Sequence, residues 1–368
     1  MNPLPPPMQQ ALACAREALV LSNPNPRVGC VITDGAGRVL GQGHTQRAGG
    51  PHAEIMALSD AAALGHSVHG ATAWVTLEPC SHQGRTGPCC DALAAAGIAR
   101  VVASLADPNP LVAGQGFQRL RAAGVAVEIG AGAAESRELN IGFFSRMVRK
   151  TPWVRLKIAA SLDGKTALEN GASQWITAAP ARADGHAWRA RADAILTGIG
   201  TVLEDDPQLD VRLVPTPRQP HLVLVDSRLE TPLEAKLFAP ARQLLIYFAV
   251  ADAARQAALQ ARGATLVHLP GPGGKVDLAA MLRDLAQREV NELHVEAGHK
   301  LNGSLVREGL ADEFLVYLAP KLLGQGRDMA AFGPIGELAQ AVALEFHGTD
   351  MVGGDLRILA RVSGRDAF

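Results

Sequence analysis

A histidine, a glutamate and three cysteines near the start of the chain have the types and the order of a zinc site. They are His52, Glu54, Cys80, Cys89 and Cys90. One histidine and two thiolates would leave the fourth position of a tetrahedral zinc ion open for water, which distinguishes a catalytic from a structural site. Glu54 stands two residues after His52. It would carry the proton of that water to a leaving amine without binding the metal.

The pattern around these residues favours a metal site over a simpler interpretation. The chain has H-x-E at 52–54 and Pro-Cys at 79–80, as zinc deaminases do, but eight residues follow before Cys89 where two are usual. Both ligand segments are expected at helix N-termini, where the helix dipole favours a thiolate. The simpler interpretation is a helix-capping histidine and cysteines buried in a core. Spacing does not decide whether Cys89 or Cys90 is the third ligand.

The distribution of the cysteines is typical of an intracellular protein. All five stand in the first quarter of the chain, whereas a disulfide framework would spread its bridges. Cys14 and Cys30 lie within helix and strand patterns, so we expect both in the core. The cluster therefore indicates a metal or a catalytic thiol in one half of the molecule.

Alternating helix and strand patterns must position these residues. Strands are expected at 28–34, 38–46, 72–79 and 100–108, and helices at 8–22, from His52 onward, at 91–98 and at 116–124. The first two strands are joined by Gly35-Ala36-Gly37, a hairpin signal. This alternation predicts an α/β sandwich around one sheet.

The pattern breaks around residues 140–152, which predicts a domain junction, and a new series of strands follows. The second half has no complete G-x-G-x-x-G, since 198–203 offers only two glycines. At 293–305 a strand runs into a glycine-bearing turn whose backbone N–H groups could hold a phosphate, although a plain turn is as consistent with the sequence. Polar residues at strand ends suggest a cleft along one sheet edge: Ser161, Asp163, Asp205, Asp206, Asp226, Ser227 and Glu296.

Composition excludes several classes of protein. The 368 residues are 48% apolar and 19% charged, enough for two folded cores, and the formal net charge is -1. A near-neutral chain with 4% aromatic residues has neither the field nor the stacking surfaces of a nucleic-acid-binding protein. No apolar run approaches the length of a membrane span, and the N-terminus lacks the pattern of a secretory signal. We therefore expect a cytoplasmic protein.

Four segments of the first half resemble the deaminase half of the bifunctional RibD family of riboflavin biosynthesis. They are NPNPRVGCV, HTQRAGGPHAEIMAL, TLEPCSHQGRTGPCCDAL and ADPNPLVAGQG. The longer interval between cysteines is usual in that family, and its ligand is the first of the Cys-Cys pair, which corresponds to Cys89. Gly87 stands where relatives commonly have proline, so the loop is less stiff but keeps its ligands.

Segments of the second half resemble the reductase half of the same family, among them KIAASLDGKTA, SQWIT, AILTGIGTVLEDDPQLDVR and HVEAG. The family positions that contact NADPH correspond to Ala159, Trp175, Thr201, Asp205, Ser227, Gly298, His299, Lys300, Leu301, Asn302, Gly303 and Ser304. Those that contact the phosphorylated substrate correspond to Ser173, Arg189, Leu209, Arg212 and Glu296. Both arginines suit a phosphate, because guanidinium groups match phosphate oxygens, although a solvated helix face would otherwise explain Arg189. Ala297 replaces a common glycine.

The resemblance implies a fold and a function for each half. A cytidine-deaminase-like three-layer α/β/α domain at 1–148 would use Zn²⁺ to deaminate 2,5-diamino-6-(5-phospho-ribosylamino)pyrimidin-4(3H)-one. A dihydrofolate-reductase-like α/β domain at 149–368 would then use NADPH to reduce the ribosyl chain. The product would be 5-amino-6-(5-phospho-ribitylamino)uracil. Relatives form dimers or tetramers, so a homo-oligomer is implied, and neither Lys157 nor Asp163 stands out as an acid or base.

Two other enzyme hypotheses remain open from the sequence. The same folds would serve another aminopyrimidine or nucleoside, although the family's pocket residues are largely present. Alternatively, the second half would be a degenerate regulatory or dimerisation module attached to a deaminase. NADPH binding distinguishes these alternatives. A non-enzymatic role in binding nucleic acid fits poorly, because the chain has no basic tract.

Overall fold

The computed structural model describes residues 3–81, 87–110 and 112–368. The chain divides into two compact units, Met1–Arg149 and Lys150–Phe368. Each unit has its own sheet and its own core, so each is described by itself. None of the helices within the described ranges is long and apolar enough to cross a membrane.

The first unit contains six helices and five strands in its described part. The helices are α1 (Pro6–Glu17), α2 (Ala53–Ala63), α3 (Cys89–Ala95), α4 (Gln115–Ala122), α5 (Ala133–Leu139) and α6 (Ile141–Arg149). The strands are β1 (Gly29–Thr33), β2 (Val39–His44), β3 (Thr72–Val75), β4 (Arg100–Ala103) and β5 (Ala126–Ile129). The expected hairpin is present, because β1 and β2 pair antiparallel.

These strands form one sheet in the order β2-β1-β3-β4-β5, with helices on both faces. On one face α1 crosses β1 so closely that a Cβ on Gly29 would collide with the Ala11 carbonyl. On the other face α2 lies against β2, where a Cβ on Gly41 would collide with the backbone of Ala57. Glycine is required at both positions because only a missing side chain lets helix and sheet backbones approach so closely. The result is the expected three-layer α/β/α arrangement.

The strand expected over 72–79 is shorter in the structure. β3 ends at Val75, and the chain then turns so that Glu78 faces the loop between β4 and α4. The apolar run was a poor guide to the strand end because Leu77 is buried without being part of the sheet. Consequently the two metal-ligand segments are held by loops and helix starts rather than by a strand.

The second unit begins again with a strand. Its strands are β6 (Trp153–Ser161), β7 (Lys165–Leu168), β8 (Ala194–Gly198), β9 (His221–Val225), β10 (Leu244–Phe248), β11 (Thr265–His268), β12 (Glu292–Val295), β13 (Glu313–Ala319), β14 (Gly326–Asp328), β15 (Leu344–Val352) and β16 (Asp355–Val362). Its helices are α7 (Ala179–Arg191), α8 (Ile199–Asp205), α9 (Ala253–Ala261), α10 (Leu278–Gln287) and α11 (His299–Arg307).

Nine of these strands form a mixed sheet in the order β11-β10-β9-β8-β12-β6-β13-β16-β15. Neighbours from β11 to β13 are parallel, whereas β16 and β15 add an antiparallel edge. Alternate residues of the central strands are buried on opposite faces: Val223 packs with Met281 of α10, and Leu224 packs with Leu259 of α9. Ligands of such sheets bind beyond the carboxyl ends of the strands. A site is therefore expected where the parallel strands of this sheet end.

Candidate active sites

Three side chains of the first unit come together as a metal-binding group. His52 Nδ1 lies 3.5 Å from Cys80 Sγ and 3.4 Å from Cys89 Sγ. The three ligand atoms all lie within 4.8 Å of one another. A nitrogen and a sulfur bound to one tetrahedral zinc ion lie about 3.5 Å apart, so the donor set fits zinc in both chemistry and spacing.

Two helix starts place the histidine and one of the cysteines. His52 immediately precedes α2 but its side chain makes no capping hydrogen bond within the described residues, which argues against the simpler interpretation. Cys89 is the first residue of α3, and its backbone N–H donates to Cys80 Sγ at 3.4 Å. Residues 82–86, which stand between the two cysteines in the sequence and include Thr86 of the family motif, lie outside the described residues.

The structure distinguishes the two adjacent cysteines. Cys89 Sγ faces His52, whereas Cys90 Sγ points to Asp91 Oδ1 at 3.4 Å. Successive residues of a helix point about 100° apart, so only one of the pair can face the cluster. Hydrogen bonds from Cys89 and His52 outweigh burial and lower the pKa of Cys80 to about 4, whereas the same contact with Cys80, together with burial, raises the pKa of Cys89. The two thiols therefore act as a pair that shares a proton when no metal is bound.

Glu54 lies in the first turn of α2 beside this cluster and is only 3% exposed. Burial, together with the nearby charge of Cys80, raises the pKa of Glu54 to about 7. A carboxyl group with that pKa can both accept and return a proton near neutral pH. The remaining cysteines lie elsewhere. Cys30 is buried in β1 as expected, whereas Cys14 is only partly buried at the edge of the core.

A cleft of about 840 Å³ opens in the second unit beyond the carboxyl ends of β6, β8 and β12. All five residues predicted to contact the substrate line it: Ser173, Arg189, Leu209, Arg212 and Glu296. So do seven of those predicted to contact the cofactor: Ala159, Trp175, Thr201, Asp205, Gly298, His299 and Asn302. The cleft thus brings together residues that lie far apart in the sequence, from Ala159 to Asn302.

The other residues predicted to contact the cofactor are not among those lining the cleft: Ser227, Lys300, Leu301, Gly303 and Ser304. Ser227 follows β9, and its Oγ accepts a hydrogen bond from the Val276 N–H. Within α11, Leu301 packs against the hydrophobic core, and a Cβ on Gly303 would collide with the Ala331 backbone. A helix presents only part of its surface to one cleft, so a continuous run of residues cannot all face it.

The cofactor end of the cleft has features that fit a phosphate-bearing ligand. The chain leaves β12 and enters α11 at Gly298, so the free N–H groups of that helix start lie at the cleft. Asn302 is buried and donates from its amide to the Met329 carbonyl. Its Oδ1 is buried and has no hydrogen-bond partner among the described residues. A bound ligand with a donor group would satisfy it.

Glu296 is the centre of the charged floor of this cleft. Arg189 donates to both of its oxygens, at 2.9 Å for the Nη2–Oε2 bond, and Lys157 Nζ lies 3.7 Å away. Burial opposes ionisation, but the charges of Arg189 and Lys157 outweigh it and hold the pKa of Glu296 well below its usual range. The floor therefore presents an ionised carboxylate together with two cations.

Comparison with known proteins assigns the chain to a family. Residues 5–105 match the cytidine and deoxycytidylate deaminase zinc-binding region, and residues 152–358 match the RibD C-terminal domain. The chain is 44% identical to the riboflavin biosynthesis protein RibD of Escherichia coli K12 over 364 residues, covering 95% of this chain and 96% of that protein. It is 39% identical to RibD of Aquifex aeolicus over 351 residues, with coverage of 95% and 96%. The chain belongs to the RibD family.

Solved structures of the family have the same architecture. RibD of Acinetobacter baumannii superposes with a TM-score of 0.87 at 38% identity, covering 96% of this chain and 97% of that one. A deaminase/reductase from Thermotoga maritima gives 0.84 at 30% identity, with 97% of each chain covered. The predicted fold class, family and function are confirmed. This member of the RibD family is a bifunctional deaminase and reductase of riboflavin biosynthesis that acts on a small molecule, with a zinc-binding deaminase domain and a reductase domain related to NADPH-dependent reductases.

The structure adds residues to the RibD cleft that sequence reasoning did not select. Lys157 and His186 both line it, on β6 and α7. Lys157 stands in the family segment KIAAS, a charged residue at a partly buried position of a predominantly apolar strand, which was the available signal. Asp163, by contrast, accepts hydrogen bonds from the Leu323 and Gly324 N–H groups at a turn and is not among the lining residues. The hydrogen bonds that Asp163 accepts at this turn therefore account for its presence without a role in the cleft.

Glu78 was also missed, although it supports the zinc ligands. Its carboxylate is buried and accepts hydrogen bonds from the backbone N–H groups of Asp107, Gly114, Gly116 and Phe117, at 2.8 to 3.4 Å. It thereby ties the segment that carries Cys80 to the start of α4. The signal in sequence was a carboxylate that directly follows a buried apolar run.

We expect Glu78→Gln to destabilise the first unit by about 1–3 kcal/mol, because the amide NH₂ would face backbone donors and charged hydrogen bonds would become neutral ones. The measurement is the thermal unfolding midpoint. Glu128→Gln is the matched control, since Glu128 pairs with Arg100 in an exposed ion pair of the same unit, which contributes little. Equal midpoints for the two variants would contradict the assigned role of Glu78.

Proposed function

We propose that this protein deaminates 2,5-diamino-6-(5-phospho-ribosylamino)pyrimidin-4(3H)-one and then reduces the ribosyl side chain, giving 5-amino-6-(5-phospho-ribitylamino)uracil. The observation that carries the proposal is the cluster of His52, Cys80 and Cys89 beside the buried Glu54, in a chain whose second unit has a cleft lined by phosphate-binding residue types. The Thermotoga maritima relative is described as a diaminohydroxyphosphoribosylaminopyrimidine deaminase/5-amino-6-(5-phosphoribosylamino)uracil reductase, which supports the same pair of substrates here.

For the first reaction we assign His52, Cys80 and Cys89 as the residues that hold zinc. When bound, the metal supplies Lewis acidity that activates the attacking water. Glu54 accepts the proton of that water and donates it to the departing amine, so that ammonia leaves and a carbonyl remains. Its raised pKa suits it to both transfers, and its burial keeps bulk water from exchanging the proton.

For the second reaction we assign the cleft of the second unit to NADPH and the phosphorylated sugar. When bound, NADPH would supply the hydride that adds to C1′; the bond between C1′ and the ring oxygen breaks, and that oxygen takes a proton from water to become a hydroxyl group. Trp175, Thr201 and Gly298 line the cofactor end. We also retain the remaining family positions, including Ser227, as contacts to the cofactor through backbone or adjacent surface.

The substrate end would hold the phosphate and the sugar in place. Arg189 and Arg212 are two of the guanidinium groups that line the cleft, and we assign them to the phosphate, with Ser173 and Leu209 beside them. Glu296 remains ionised between Arg189 and Lys157, so it accepts hydrogen bonds from sugar hydroxyl groups rather than exchanging protons. In this reaction the protein mainly positions the two reactants.

The two proposed reactions can be followed together in one cuvette. Ammonia release from the diaminopyrimidine substrate is measured together with NADPH absorbance. We expect ammonia to appear first, and one NADPH to be consumed afterwards for each ammonia released. Ammonia with a constant NADPH absorbance would remove the reductase assignment, and NADPH consumption without ammonia would remove the order of the reactions.

The two activities should separate in a variant of the substrate end. We expect Arg212→Ala to raise the reductase KM by about 10- to 100-fold, because a charged hydrogen bond to the phosphate is lost, and to leave ammonia release unchanged. Steady-state kinetics of both reactions measure this. Arg283→Ala on α10 is a control of the same charge change at an exposed site outside the cleft lining. A parallel loss of both activities would count against separate sites.

We further propose that the protein is a homo-oligomer and acts in the cytoplasm. Every residue from 331 to 347 is exposed, including Leu338 at 92% and Phe346 at 74%, and β15 is an edge strand of the large sheet. An exposed edge strand offers unpaired N–H and C=O groups to another chain, and large exposed apolar patches mark interaction sites. Light scattering should give a dimer or tetramer that Phe346→Glu dissociates. A monomeric wild type would refute the assembly.

The proposed cytoplasmic location rests on the thiolate ligands, which favour a reducing compartment. Cell fractionation tests it.

A further inference from the structure

His186 occupies a position between the two arginines of the substrate end. It lies on α7, is 5% exposed and lines the cleft. Its Nδ1 lies 3.1 Å from the backbone nitrogen of Arg212. Its Nε2 lies 3.4 Å from Nη1 of Arg189. Each ring nitrogen therefore faces an N–H donor.

A histidine ring cannot accept both of these hydrogen bonds. The neutral imidazole has one acceptor nitrogen and one N–H, and the imidazolium has two N–H groups. The shorter contact, with the Arg212 backbone N–H, assigns Nδ1 as the acceptor, and the proton then stands on Nε2. That N–H faces Nη1 of Arg189, another donor, which itself donates to the Asp210 carbonyl at 2.8 Å. The Nε2–H therefore faces a donor instead of an acceptor among the described residues.

The charges around the ring make an anion the matching acceptor. Burial together with the charges of Arg189 and Arg212 lowers the pKa of His186 to about 4, so the ring is neutral at physiological pH. The two acidic groups that face it, Glu296 and Asp210, are engaged by Arg189 and Arg212 respectively. Arg212 is half exposed, so its side chain is accessible to a ligand that enters the cleft.

We propose that His186 is a phosphate-contacting residue of the reductase site, which donates its Nε2–H to a phosphate oxygen of the substrate while its Nδ1 holds the Arg212 backbone in place. This inference rests on the proposed function, because the phosphate belongs to the proposed substrate. The phosphate oxygen supplies the acceptor that Nε2–H lacks, since Arg189 already donates to the Asp210 carbonyl and to Glu296. His186 therefore distinguishes phosphorylated from dephosphorylated substrates.

Two substitutions distinguish the roles of the two ring nitrogens of His186. In His186→Asn the amide oxygen replaces Nδ1 as acceptor for Arg212, and the second donor is lost. In His186→Gln the longer side chain can place an N–H near the position of Nε2. We expect His186→Asn to raise KM for 5-amino-6-(5-phosphoribosylamino)uracil by about 10-fold or more, and His186→Gln to recover most of that loss. The KM for the dephosphorylated riboside should change in neither variant.

The measurements are reductase kinetics with both compounds and calorimetric binding of the phosphorylated compound without NADPH. His221→Asn at the amino end of β9, the sheet edge opposite the cleft, is the matched control. Equal losses for phosphorylated and dephosphorylated compounds, or an unchanged KM in His186→Asn, would overturn the inference. If wild-type protein itself neither binds nor reduces the phosphorylated compound, the proposed substrate fails, and this inference fails with it. Wild type and variant therefore report on the two proposals separately.

Discussion

Glu54→Gln should lower the rate of ammonia release by about 10²- to 10⁴-fold and leave the zinc content unchanged. Glutamine has nearly the same shape as glutamate but cannot accept and return a proton, which is the contribution expected of a general acid–base residue. Because Glu54 lies beside His52, Cys80 and Cys89 rather than among the metal-binding group, the metal should remain. Metal analysis and an ammonia assay on the same preparation measure both quantities.

The matched control for this prediction is Glu135→Gln. Glu135 also lies in the first turn of a helix of the first unit, α5, but is exposed and is not part of the cluster. The control should keep wild-type ammonia release. Both variants should reduce the deaminated substrate at the wild-type rate, since that site lies in the second unit. Wild-type ammonia release by Glu54→Gln would remove Glu54 from the mechanism.

Replacement of the two adjacent cysteines should have opposite outcomes. Cys89→Ser should weaken zinc binding by more than about 100-fold and abolish deamination, since even supporting residues of a zinc site are worth 10- to 100-fold in affinity. A serine hydroxyl does not readily become the anion that zinc binds, whereas a thiol does. Cys90→Ser should keep both properties because Cys90 Sγ faces Asp91 instead of the cluster. Zinc content after dialysis against a chelator is the measurement.

The pair of variants is its own control, since the change of atom is identical one residue apart. Circular dichroism at matched temperature shows whether either variant has unfolded. Retained zinc in Cys89→Ser combined with lost zinc in Cys90→Ser would reverse the ligand assignment. Loss of zinc in both would mean that α3 itself depends on each thiol.

In the first unit, residue types and spacing were enough to predict the chemistry. His52, Glu54 and Cys80 were selected from pattern, and the alternation of elements predicted a sheet with helices on both faces, because burial imposes its period on local sequence. The choice between Cys89 and Cys90 depended on resemblance and is supported by the direction in which each side chain leaves α3. The position of Glu78 after an apolar run does not reveal its role, because its hydrogen-bond partners stand 29 to 39 positions further along the chain.

In the second unit, the sequence by itself determined only that strands would end in polar residues and that a cleft would lie near them. Tertiary structure decided which of those residues share it. Asp163 and Asp226 hold turns, whereas Glu296 meets Arg189 across 107 positions of sequence, and His186 meets Arg212 across 26. Such pairings depend on the order of parallel strands and on which side of a helix faces the cleft. Local periodicity encodes burial, but it does not encode which distant residue lies opposite.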